Sequence, residues 1–595
     1  MVKVPSPPTQ VGAAIPAHTP HAVSVTLPKW QDNIYYEEGD PRVTSKMECG
    51  YPRFFIHPFI QKLCARLVQK FGKPTESGML LPSRKVAERC RSFMKQYYTP
   101  AHDRMGIIRI AQCEVAPLES ASELQPVPMF IVLFPADAFP VAKQFWQHTG
   151  DIISSRLAEY CLRILDQNES TTHSTVSPTS PTTVEQPIKP RHGAGRYGRK
   201  SSVATTTNEP AKQPTSPTNT TAIINDDEKE QEDADQHFYV EERYGRNLPV
   251  EFSNRAKRAL KRRIAGVLTE AEQSNNNSNN SGNTSLTATT TEQDLAQQRQ
   301  RKGDRGISGL SENDVYLFPT GMSAIYHAYR MTALVGDASR RSVCFGFPYT
   351  DTLKILQKFG AGCHFYGMGE DENIDELEAL LQSGERILSL FCELPSNPLL
   401  KSPNIKRLRQ LADTYGFYIV VDETIGNFSN VGVLEWADMV VSSLTKVFSG
   451  DSNVMGGSMV LNPNRRHYKA LTDALASDYE DLVWNEDAYT TKDHYLAVKN
   501  VDGGFGGLFS VMFPNEKNAI QFYDNLHCAK GPSLGTNFTL ASPYTILAHY
   551  TELDWASQFG VQRHLIRISV GLEDRDHLLS LFKNALNAVV PDDTA

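Results

Sequence analysis

The segment MVVSSLTKVFSGDSNVMGGSMVLN, residues 439–462, decides the fold of this chain. It begins with an apolar strand, MVVSSL (439–444), and ends with a second one, SMVLN (458–462). Between the two strands lies a glycine-containing loop that carries Lys446. Short apolar runs without polar alternation are typical of strands that are buried on both faces. The segment therefore predicts part of a covered central sheet, with a lysine where one strand ends.

The same pattern extends toward the N-terminus. ILSLFCE (387–393) and FYIVVDE (417–423) are further apolar strands, and IDELEALLQS (374–383) and IKRLRQLADTYG (405–416) have the spacing of amphipathic helices. Strands that alternate with such helices predict an α/β fold, with a mostly parallel central sheet and helices on both faces. Ligands of such sheets bind at the carboxyl ends of the strands, which is where Lys446 is expected.

Composition divides the rest of the chain. The start is rich in proline, and two later tracts consist mainly of Ser, Thr, Asn and charged residues, which bury too little apolar surface to fold. The predicted segments are a disordered start (1–20), an N-terminal α+β accessory unit (21–166), a low-complexity linker (167–236), a large ligand-binding domain (237–463) with a polar insertion (272–302), and a smaller C-terminal α/β domain (464–595). The role of the accessory unit stays open.

Charge and composition exclude several classes of protein. The net charge of -8 over 595 residues argues against general binding to nucleic acids or anionic membranes. The sequence contains no run of 18 apolar residues, so no membrane span is predicted. The nine cysteines show no metal-ligand spacing, so we expect no metal site and reduced thiols in the cytoplasm. The basic stretch RHGAGRYGRK (191–200) is interpreted as solvated linker. A targeting signal is the alternative interpretation, and for that reason a nuclear pool of the protein stays open.

Lys446 is the first candidate for chemistry. A lysine at the carboxyl end of a buried strand can be partly desolvated, which makes its amine a nucleophile toward an aldehyde. Ser443 and Thr445 precede it and carry hydroxyls that can bind a phosphate. An exposed loop lysine beside a glycine-rich turn is the alternative, and this segment alone does not decide between the two.

Two further segments suit the same kind of ligand. Asp422 ends an apolar strand, where a carboxylate needs a cationic partner such as a protonated pyridine nitrogen. A helix N-cap or a magnesium ligand is the alternative role. Gly321 and Met322 open a helix, whose N-terminal N–H groups bind phosphate well, although an ordinary glycine turn explains the same residues.

Two more residues suit an amino-acid substrate. Asn397, in ELPSNP (393–398), can hydrogen-bond a ring hydroxyl or a carboxylate, or can simply be a turn residue before proline. Arg567 is a lone arginine in the apolar strand LIRISVG (565–571). A guanidinium there suits a two-pronged clamp on a carboxylate, and a structural ion pair is the alternative.

Taken in order, these residues resemble the Cys/Met-metabolism family of pyridoxal-phosphate (PLP) enzymes, of PLP fold type I, over roughly 238–595. The loop around Lys446 is similar to the family signature Ser-x-Thr-Lys-x-x-x-Gly-His-Ser-Asp-x-x-Gly-Gly. Asp451 stands where the family usually has His, and Asn453 where it has Asp. The resemblance implies pyridoxal 5'-phosphate as the cofactor, held by Lys446, with Asp422 at its ring nitrogen.

The resemblance implies a role for residues near the start of the large domain. RYGRNLP (243–249) is similar to the Tyr-Ser-Arg-x-x-Asn-Pro segment of the family, although it is one residue shorter. Tyr244 and Arg246 would therefore reach the cofactor phosphate of a neighbouring subunit, in a homo-oligomer that is a dimer or a dimer of dimers.

It also implies contacts to the ring and the substrate. GFPYTDTL (346–353) falls where the family carries the tyrosine that stacks on the cofactor ring, a role assigned to Tyr349 with Phe347 as the alternative. Ser533, in a Ser-Leu-Gly turn, is implied to lie near the substrate carboxylate with Arg567. Phe538 occupies a position where the family often has Glu, which leaves the choice between synthase and lyase open.

Within the family, the chain is similar to the large fungal cystathionine γ-synthases, because of PHAVSVTLPKW (20–30), EGDPRV (38–43) and VDET (421–424). This resemblance implies γ-replacement on an O-acyl-L-homoserine by L-cysteine, giving L-cystathionine, with Lys446 moving the protons. A lyase or a sulfhydrylase on the same scaffold is the alternative, and a non-catalytic regulatory paralogue is the third. The identity of the acyl group, acetyl or succinyl, stays open, although Asn247 favours acetyl.

Overall fold

The computed structural model describes the chain at residues 10–52, 54–99, 108–118, 124–174, 253–266, 305–428, 430–485, 487 and 506–589. The first nine residues, nearly all of the predicted linker and the predicted polar insertion lie outside these ranges. Tyr244 and Arg246 also lie outside them, so their predicted contacts with a neighbouring subunit stay predictions.

The N-terminal region forms two small antiparallel sheets with helices around them. Strands β1 (Ala14–Ile15) and β2 (Ser24–Val25) pair with each other. The other sheet has the order β3-β5-β4, built from β3 (Glu76–Leu81), β4 (Arg109–Val115) and β5 (Val127–Pro135). The helices are α1 (Trp30–Glu37), α2 (Pro41–Thr44), α3 (Pro58–Phe71), α4 (Arg84–Tyr97), α5 (Phe139–Thr149) and α6 (Ser155–Ser174).

The strands and helices of this region agree with the α+β character predicted for residues 21–166. Helix α6 continues to Ser174, past the predicted end of the folded unit at 166. The prediction that residues 1–20 are disordered is wrong for the part the structure describes. Ala14 and Ile15 are buried, and Ile15 packs against Leu540 of the C-terminal region, so tertiary contact orders a segment that its prolines suggested was unfolded.

A seven-stranded sheet forms the large domain. Its strands are β6 (Val315–Phe318), β7 (Ser342–Phe345), β8 (Cys363–Tyr366), β9 (Ser389–Glu393), β10 (Tyr418–Asp422), β11 (Met439–Ser443) and β12 (Gly457–Leu461). Their order is β6-β12-β11-β10-β9-β7-β8, and all neighbours are parallel except β12, which is antiparallel to both β11 and β6. The predicted mostly parallel sheet is therefore confirmed.

Helices cover both faces of this sheet. They are α7 (Ser253–Ala265), α8 (Gly321–Val335), α9 (Thr350–Lys358), α10 (Asp371–Gln382), α11 (Ile405–Tyr415) and α12 (Tyr468–Asp478). Alternate residues of β10 point to opposite faces, so Val421 joins one core with Leu377 and Leu408, whereas Val420 joins the other with Leu353 and Leu471. Each such buried aliphatic side chain contributes about 1.5–3 kcal/mol relative to exposure.

The C-terminal region carries a four-stranded sheet of order β13-β16-β15-β14. Its strands are β13 (Leu508–Val511), β14 (Ala529–Lys530), β15 (Leu540–Pro543) and β16 (Ile566–Ser569), and its helices are α13 (Glu516–Asn525), α14 (Tyr544–His549), α15 (Leu553–Ser557) and α16 (Arg575–Asn587). The predicted apolar strand LIRISVG (565–571) contains β16, and α16 follows it. Helix α12 lies after the predicted boundary at 463, yet Leu471 and Leu475 pack into the core of the large sheet.

All nine cysteines are free thiols. No helix within the described ranges combines the length and the apolar character needed to cross a membrane. The described residues also contain no group of three or more His, Cys, Asp or Glu side chains arranged to hold a metal ion.

Candidate active site

A cavity lies at the carboxyl ends of the central strands. The last residues of β9, β10 and β11, which are Glu393, Asp422 and Ser443, line it together with Lys446. Residues from the N-terminal region and from the C-terminal sheet complete its walls, among them Tyr51 and Arg567. Three parts of the chain that are far apart in sequence therefore meet around the ligand edge of the sheet.

Lys446 lies in the turns that follow β11, and only 7% of its surface is exposed. Its Nζ donates hydrogen bonds to Tyr51 Oη at 3.0 Å and to Ser533 Oγ at 3.3 Å. The backbone bond from Gly450 N to Lys446 O, at 2.9 Å, helps to hold the turn. The alternative of an exposed loop lysine is therefore wrong, since the amine points into the cavity and contacts two hydroxyls.

Asp422 and Glu393 form the acidic end of the cavity. Burial raises the pKa of Asp422, while hydrogen bonds from Thr424, including one from its backbone N–H to Oδ1 at 2.9 Å, oppose the change. Burial, and then the charge of Asp422, raise the pKa of Glu393 to about 8. A cation at Asp422 would therefore relieve a local excess of buried negative charge.

Glu393 was not predicted as a site residue, and it joins two that were. Its carboxyl group accepts a hydrogen bond from the backbone N–H of Tyr349 and another from that of Asn397, the second at 2.9 Å. Glu393 stands at the start of the quoted segment ELPSNP, where a charged residue ending an apolar strand was the available signal. It holds the two loops that bring Tyr349 and Asn397 to the cavity.

The first turn of α8 provides a pocket for an anion. Thr320 caps the helix by accepting a hydrogen bond from Ser323 N at 3.0 Å, which leaves the N–H groups of Gly321 and Met322 at the cavity. A Cβ on Gly321 would lie 2.6 Å from Ser443 Cβ, so only glycine lets the helix approach β11 this closely. Thr445 also lines the cavity, and its Oγ1 accepts a hydrogen bond from Gly456 N at 3.2 Å.

Arg567 and Asn397 also line the cavity and give it a positive charge. Arg567 donates to Asn397 Oδ1 at 3.3 Å and to the carbonyl oxygens of Pro532 and Ser533 at 3.3 and 2.8 Å. No acidic side chain of the described residues pairs with this guanidinium, which is 5% exposed. Burial lowers the pKa of Arg567, and electrostatic interactions with Tyr544 and two other tyrosines oppose the change. A carboxylate of a substrate would supply the missing countercharge.

The two aromatic candidates for the ring-stacking role separate clearly in space. Tyr349 lines the cavity, whereas Phe347 is buried in an apolar cluster with Trp555 and Phe559. Phe538 is not among the residues that line the cavity and packs instead against the cluster that contains Ile15. The presence of Phe538 where the family often has Glu therefore does not change the residues that line the cavity.

The departure at Asp451 has a structural consequence. Its Oδ1 accepts a hydrogen bond from Asn537 Nδ2 at 2.7 Å, which ties the Lys446 loop to the C-terminal region. The backbone adds to this connection, because Asn537 N donates to Gly450 O at 2.7 Å.

The residues present fit a phosphorylated pyridine aldehyde. Lys446 offers an amine for the aldehyde, the carboxyl group of Asp422 suits a protonated ring nitrogen, and the glycine-lined N-terminus at Gly321 suits the phosphate. The fold and this set of residues together define a PLP-dependent enzyme that acts on an amino acid, whose carboxylate would meet Arg567.

Comparison with known proteins narrows this class to one family. Residues 305–478 match the model described as "Cys/Met metabolism PLP-dependent enzyme", and residues 59–154 match that described as "Fungal trans-sulfuration enzyme, N-terminal domain". The chain is 42% identical to a cystathionine gamma-synthase of Neurospora crassa, over 98% of both chains. It is 38% identical to a cystathionine gamma-synthase-like enzyme of Amanita muscaria, over 97% of this chain and 96% of the relative.

A cystathionine gamma-synthase of Saccharomyces cerevisiae is 36% identical, over 97% of this chain and 98% of that one. The chain belongs to the Cys/Met-metabolism family of PLP-dependent enzymes, and the resemblance of its motifs to that family is confirmed. The match at 59–154 covers the three-stranded sheet of the N-terminal region, β3 to β5, with helices α4 and α5.

Proposed function

We propose that the protein is a cystathionine γ-synthase, which replaces the acyloxy group on Cγ of an O-acyl-L-homoserine by the thiol sulfur of L-cysteine. The products are L-cystathionine and the free acid. The observation that carries this proposal is the end-to-end similarity to relatives bearing that name, in a chain whose Lys446 and Arg567 face one cavity.

Lys446 is the base of the proposed reaction. When bound, the cofactor supplies an aldehyde for capture of amino acids and a ring that withdraws electrons from their carbon atoms. The amine of Lys446 would take the Cα proton of a bound substrate and then move a Cβ proton, because it would be the general base adjacent to both carbons. Asp422 keeps the ring nitrogen protonated. The acyloxy group then leaves Cγ as the carboxylate of the free acid, and the cysteine thiolate bonds to Cγ in its place.

Arg567 and Asn397 orient the substrate. The guanidinium clamps the α-carboxylate, and Asn397 Oδ1, 3.3 Å from Arg567 Nη1, fixes the plane of that clamp. A fixed carboxylate leaves the Cα–H bond aimed at the amine of Lys446. Ser533, whose Oγ accepts a hydrogen bond from that amine, lies between the two groups.

The remaining assignments concern the cofactor and the assembly. Gly321, Met322, Ser443 and Thr445 are proposed to bind the phosphate, and Tyr349 to stack on the ring. Tyr244 and Arg246, outside the described residues, are proposed to reach the phosphate of a neighbouring subunit in a homo-oligomer, a dimer or a homotetramer built as a dimer of dimers. A cytoplasmic location and an acetyl ester as substrate complete the proposal.

The test is a product assay on the purified, PLP-loaded protein. O-acetyl- and O-succinyl-L-homoserine are each supplied with L-cysteine or with sulfide, and L-cystathionine is supplied alone. Formation of cystathionine as the fastest reaction supports the proposal. Faster cleavage of cystathionine would make the protein a lyase, and faster use of sulfide a sulfhydrylase.

Borohydride trapping followed by peptide mass spectrometry locates the cofactor in the same preparation. We expect the reduced cofactor on Lys446, and Lys446→Ala should fold but lose both the trapped adduct and the activity. Full activity and unchanged visible absorbance in that variant would overturn the assignment of the lysine.

A further inference from the structure

Tyr51 comes from the N-terminal region and touches the reacting amine of the site. It lies between α2 and α3, and it lines the cavity with Pro52 and Phe54. Its Oη is 3.0 Å from Lys446 Nζ, and the same Nζ lies 4.5 Å from the centroid of its ring. We propose that Tyr51 is a catalytic residue that stabilises the protonated amine of Lys446 after it has taken the Cα proton.

The geometry favours the charged form of the amine. A phenol oxygen accepts a hydrogen bond from either form, but the bond is stronger when the donor is an ammonium. A cation within about 6 Å of an aromatic ring is also attracted to the face of the ring, and a neutral amine is not. Tyr51 therefore lowers the energy of the state in which Lys446 carries the proton between two carbons, and it keeps that proton near the substrate.

The position of Tyr51 is set by contacts that reach across the molecule. Val23 N donates to Ser452 O at 2.7 Å in the Lys446 loop, and Leu27 N donates to Lys530 O at 2.9 Å in the C-terminal sheet. Tyr51 itself packs against Phe54 at a ring separation of 5.9 Å. The two backbone bonds hold residues 23–27 against the Lys446 loop and the C-terminal sheet. Cys49 Sγ donates to Ser24 O at 3.1 Å and so ties the residues just before Tyr51 to that segment.

The N-terminal region also supports the other end of the site. Thr320 Oγ1, at the cap of α8, donates to Gly150 O at 3.0 Å. A Cβ on Gly150 would lie 2.2 Å from that hydroxyl oxygen, and the φ of Gly150 is +63°. The accessory unit, whose role the sequence left open, thus contacts both the anion pocket and the amine, and Tyr51 is its contribution to the chemistry.

The experiment measures proton transfer directly. PLP-loaded wild-type protein and the Tyr51→Phe, Tyr51→Ala and Tyr98→Phe variants are incubated in D₂O with L-norvaline, an amino acid without a leaving group. Exchange of its Cα proton is followed by NMR. Tyr98→Phe is the matched control, because it removes a hydroxyl of the same region that bonds to Asp137 at 2.9 Å.

We expect Tyr51→Phe to slow Cα exchange about tenfold, the effect of losing a hydrogen bond to a charged group. Tyr51→Ala should slow it further, because the ring is lost as well. Tyr98→Phe should match the wild type. Cofactor content, measured by absorbance and by borohydride trapping on Lys446, should stay unchanged in all three variants.

Wild-type exchange in Tyr51→Phe would overturn the proposal, as would a loss of cofactor that accounts for the whole decrease. A double-mutant cycle with Ser533→Ala, the other acceptor of Lys446 Nζ, adds a second readout. We expect the two changes to be non-additive, because both groups act on one ammonium. Strict additivity would contradict a shared action on that group.

This inference rests on the proposed function only in taking Lys446 as the carrier of the proton. Exchange on norvaline needs neither an acyl ester nor a thiol. If the wild type forms no cystathionine but its exchange depends on Tyr51, the proposed substrates are wrong and the role of Tyr51 stands. If the wild type forms cystathionine but its exchange does not depend on Tyr51, the proposed substrates stand and the proposed role of Tyr51 is wrong.

Discussion

Asp422 and Glu393 are register partners at the carboxyl ends of two adjacent parallel strands, β10 and β9, and both face the cavity. Two carboxylates so placed disfavour each other's ionisation, and the pKa of Glu393 rises to about 8 through burial and the charge of Asp422. We infer that Glu393 retains a proton near neutral pH, so that Asp422 is the carboxylate that meets the ring nitrogen.

The first prediction concerns Glu393 and pH. The pKa of this acid is raised on folding, so its contribution to stability is greatest below the ordinary value of 4.5 and declines as pH rises through about 8. Glu393→Gln removes the titrating group. The melting temperature of cofactor-free wild type should therefore fall more steeply between pH 5.5 and 8.5 than that of the variant.

The exposed Glu372→Gln in α10 is the control and should keep the wild-type pH profile. Glu393→Gln should also lower kcat/KM by about tenfold, because an amide offers one acceptor to the two N–H groups of Tyr349 and Asn397. Parallel melting profiles for wild type and Glu393→Gln would contradict the pKa argument.

Arg567→Lys tests the carboxylate clamp. Lysine keeps the charge but cannot bond to Asn397 and to a carboxylate in one plane, so we expect the KM for the acylhomoserine to rise by about 10–100-fold. Steady-state kinetics at a fixed cysteine concentration measure the effect. Arg563→Lys, whose guanidinium pairs with Glu516 at 2.8 Å on the surface, is the control and should leave KM unchanged.

Gly321→Ala tests the anion pocket. Its methyl group would lie 2.6 Å from Ser443 Cβ, so α8 must move away from β11 and its first N–H groups with it. We expect the Kd for PLP to rise by at least about tenfold, measured by equilibrium dialysis with absorbance detection. Gly432→Ala meets nothing within 4 Å and should bind PLP as the wild type does.

Asp151→Asn tests the buried carboxylate that contacts Ser323 and His327 in α8, the helix whose first turn forms the anion pocket. Burial alone would raise the pKa of Asp151, but His327, Arg89 and Ser323 lower it to about 2. The carboxylate therefore contributes stability above its ordinary pKa of 3.8, and this contribution is lost as pH falls toward 2. The variant should be about 3–5 kcal/mol less stable at pH 7, since it removes a buried carboxylate that pairs with Arg89 at 3.1 Å and also contacts Ser323 and His327.

Thermal unfolding of both proteins at pH 7 and pH 3 measures this difference, which should narrow at the lower pH. The exposed Asp473→Asn, which loses a surface pair with Lys469, is the control and should unfold like the wild type at both values. A difference in stability between Asp151→Asn and wild type that is equally large at both pH values would contradict the assigned pKa of Asp151.

The sequence by itself was sufficient for the central sheet and for several residues that line the cavity at its carboxyl edge. Hydrophobic periodicity is a local property, so the apolar strands and amphipathic helices between 374 and 462 could be placed from the order of the residues. Asp422 is the last residue of β10, and Lys446 and Gly321 follow the ends of β11 and β6 within three residues. The carboxyl edge of a parallel sheet brings such positions together.

Only the tertiary structure decided which distant residues complete the site. Arg567 meets Asn397 across 170 residues of sequence, and Tyr51 meets Lys446 across 395. Such contacts leave no periodic signal, because they depend on how domains pack and not on neighbours along the chain. For the same reason Glu393 could not be assigned from the sequence alone. Ala14 and Ile15 are ordered by burial in clusters with Leu547 and Leu540, more than five hundred residues away.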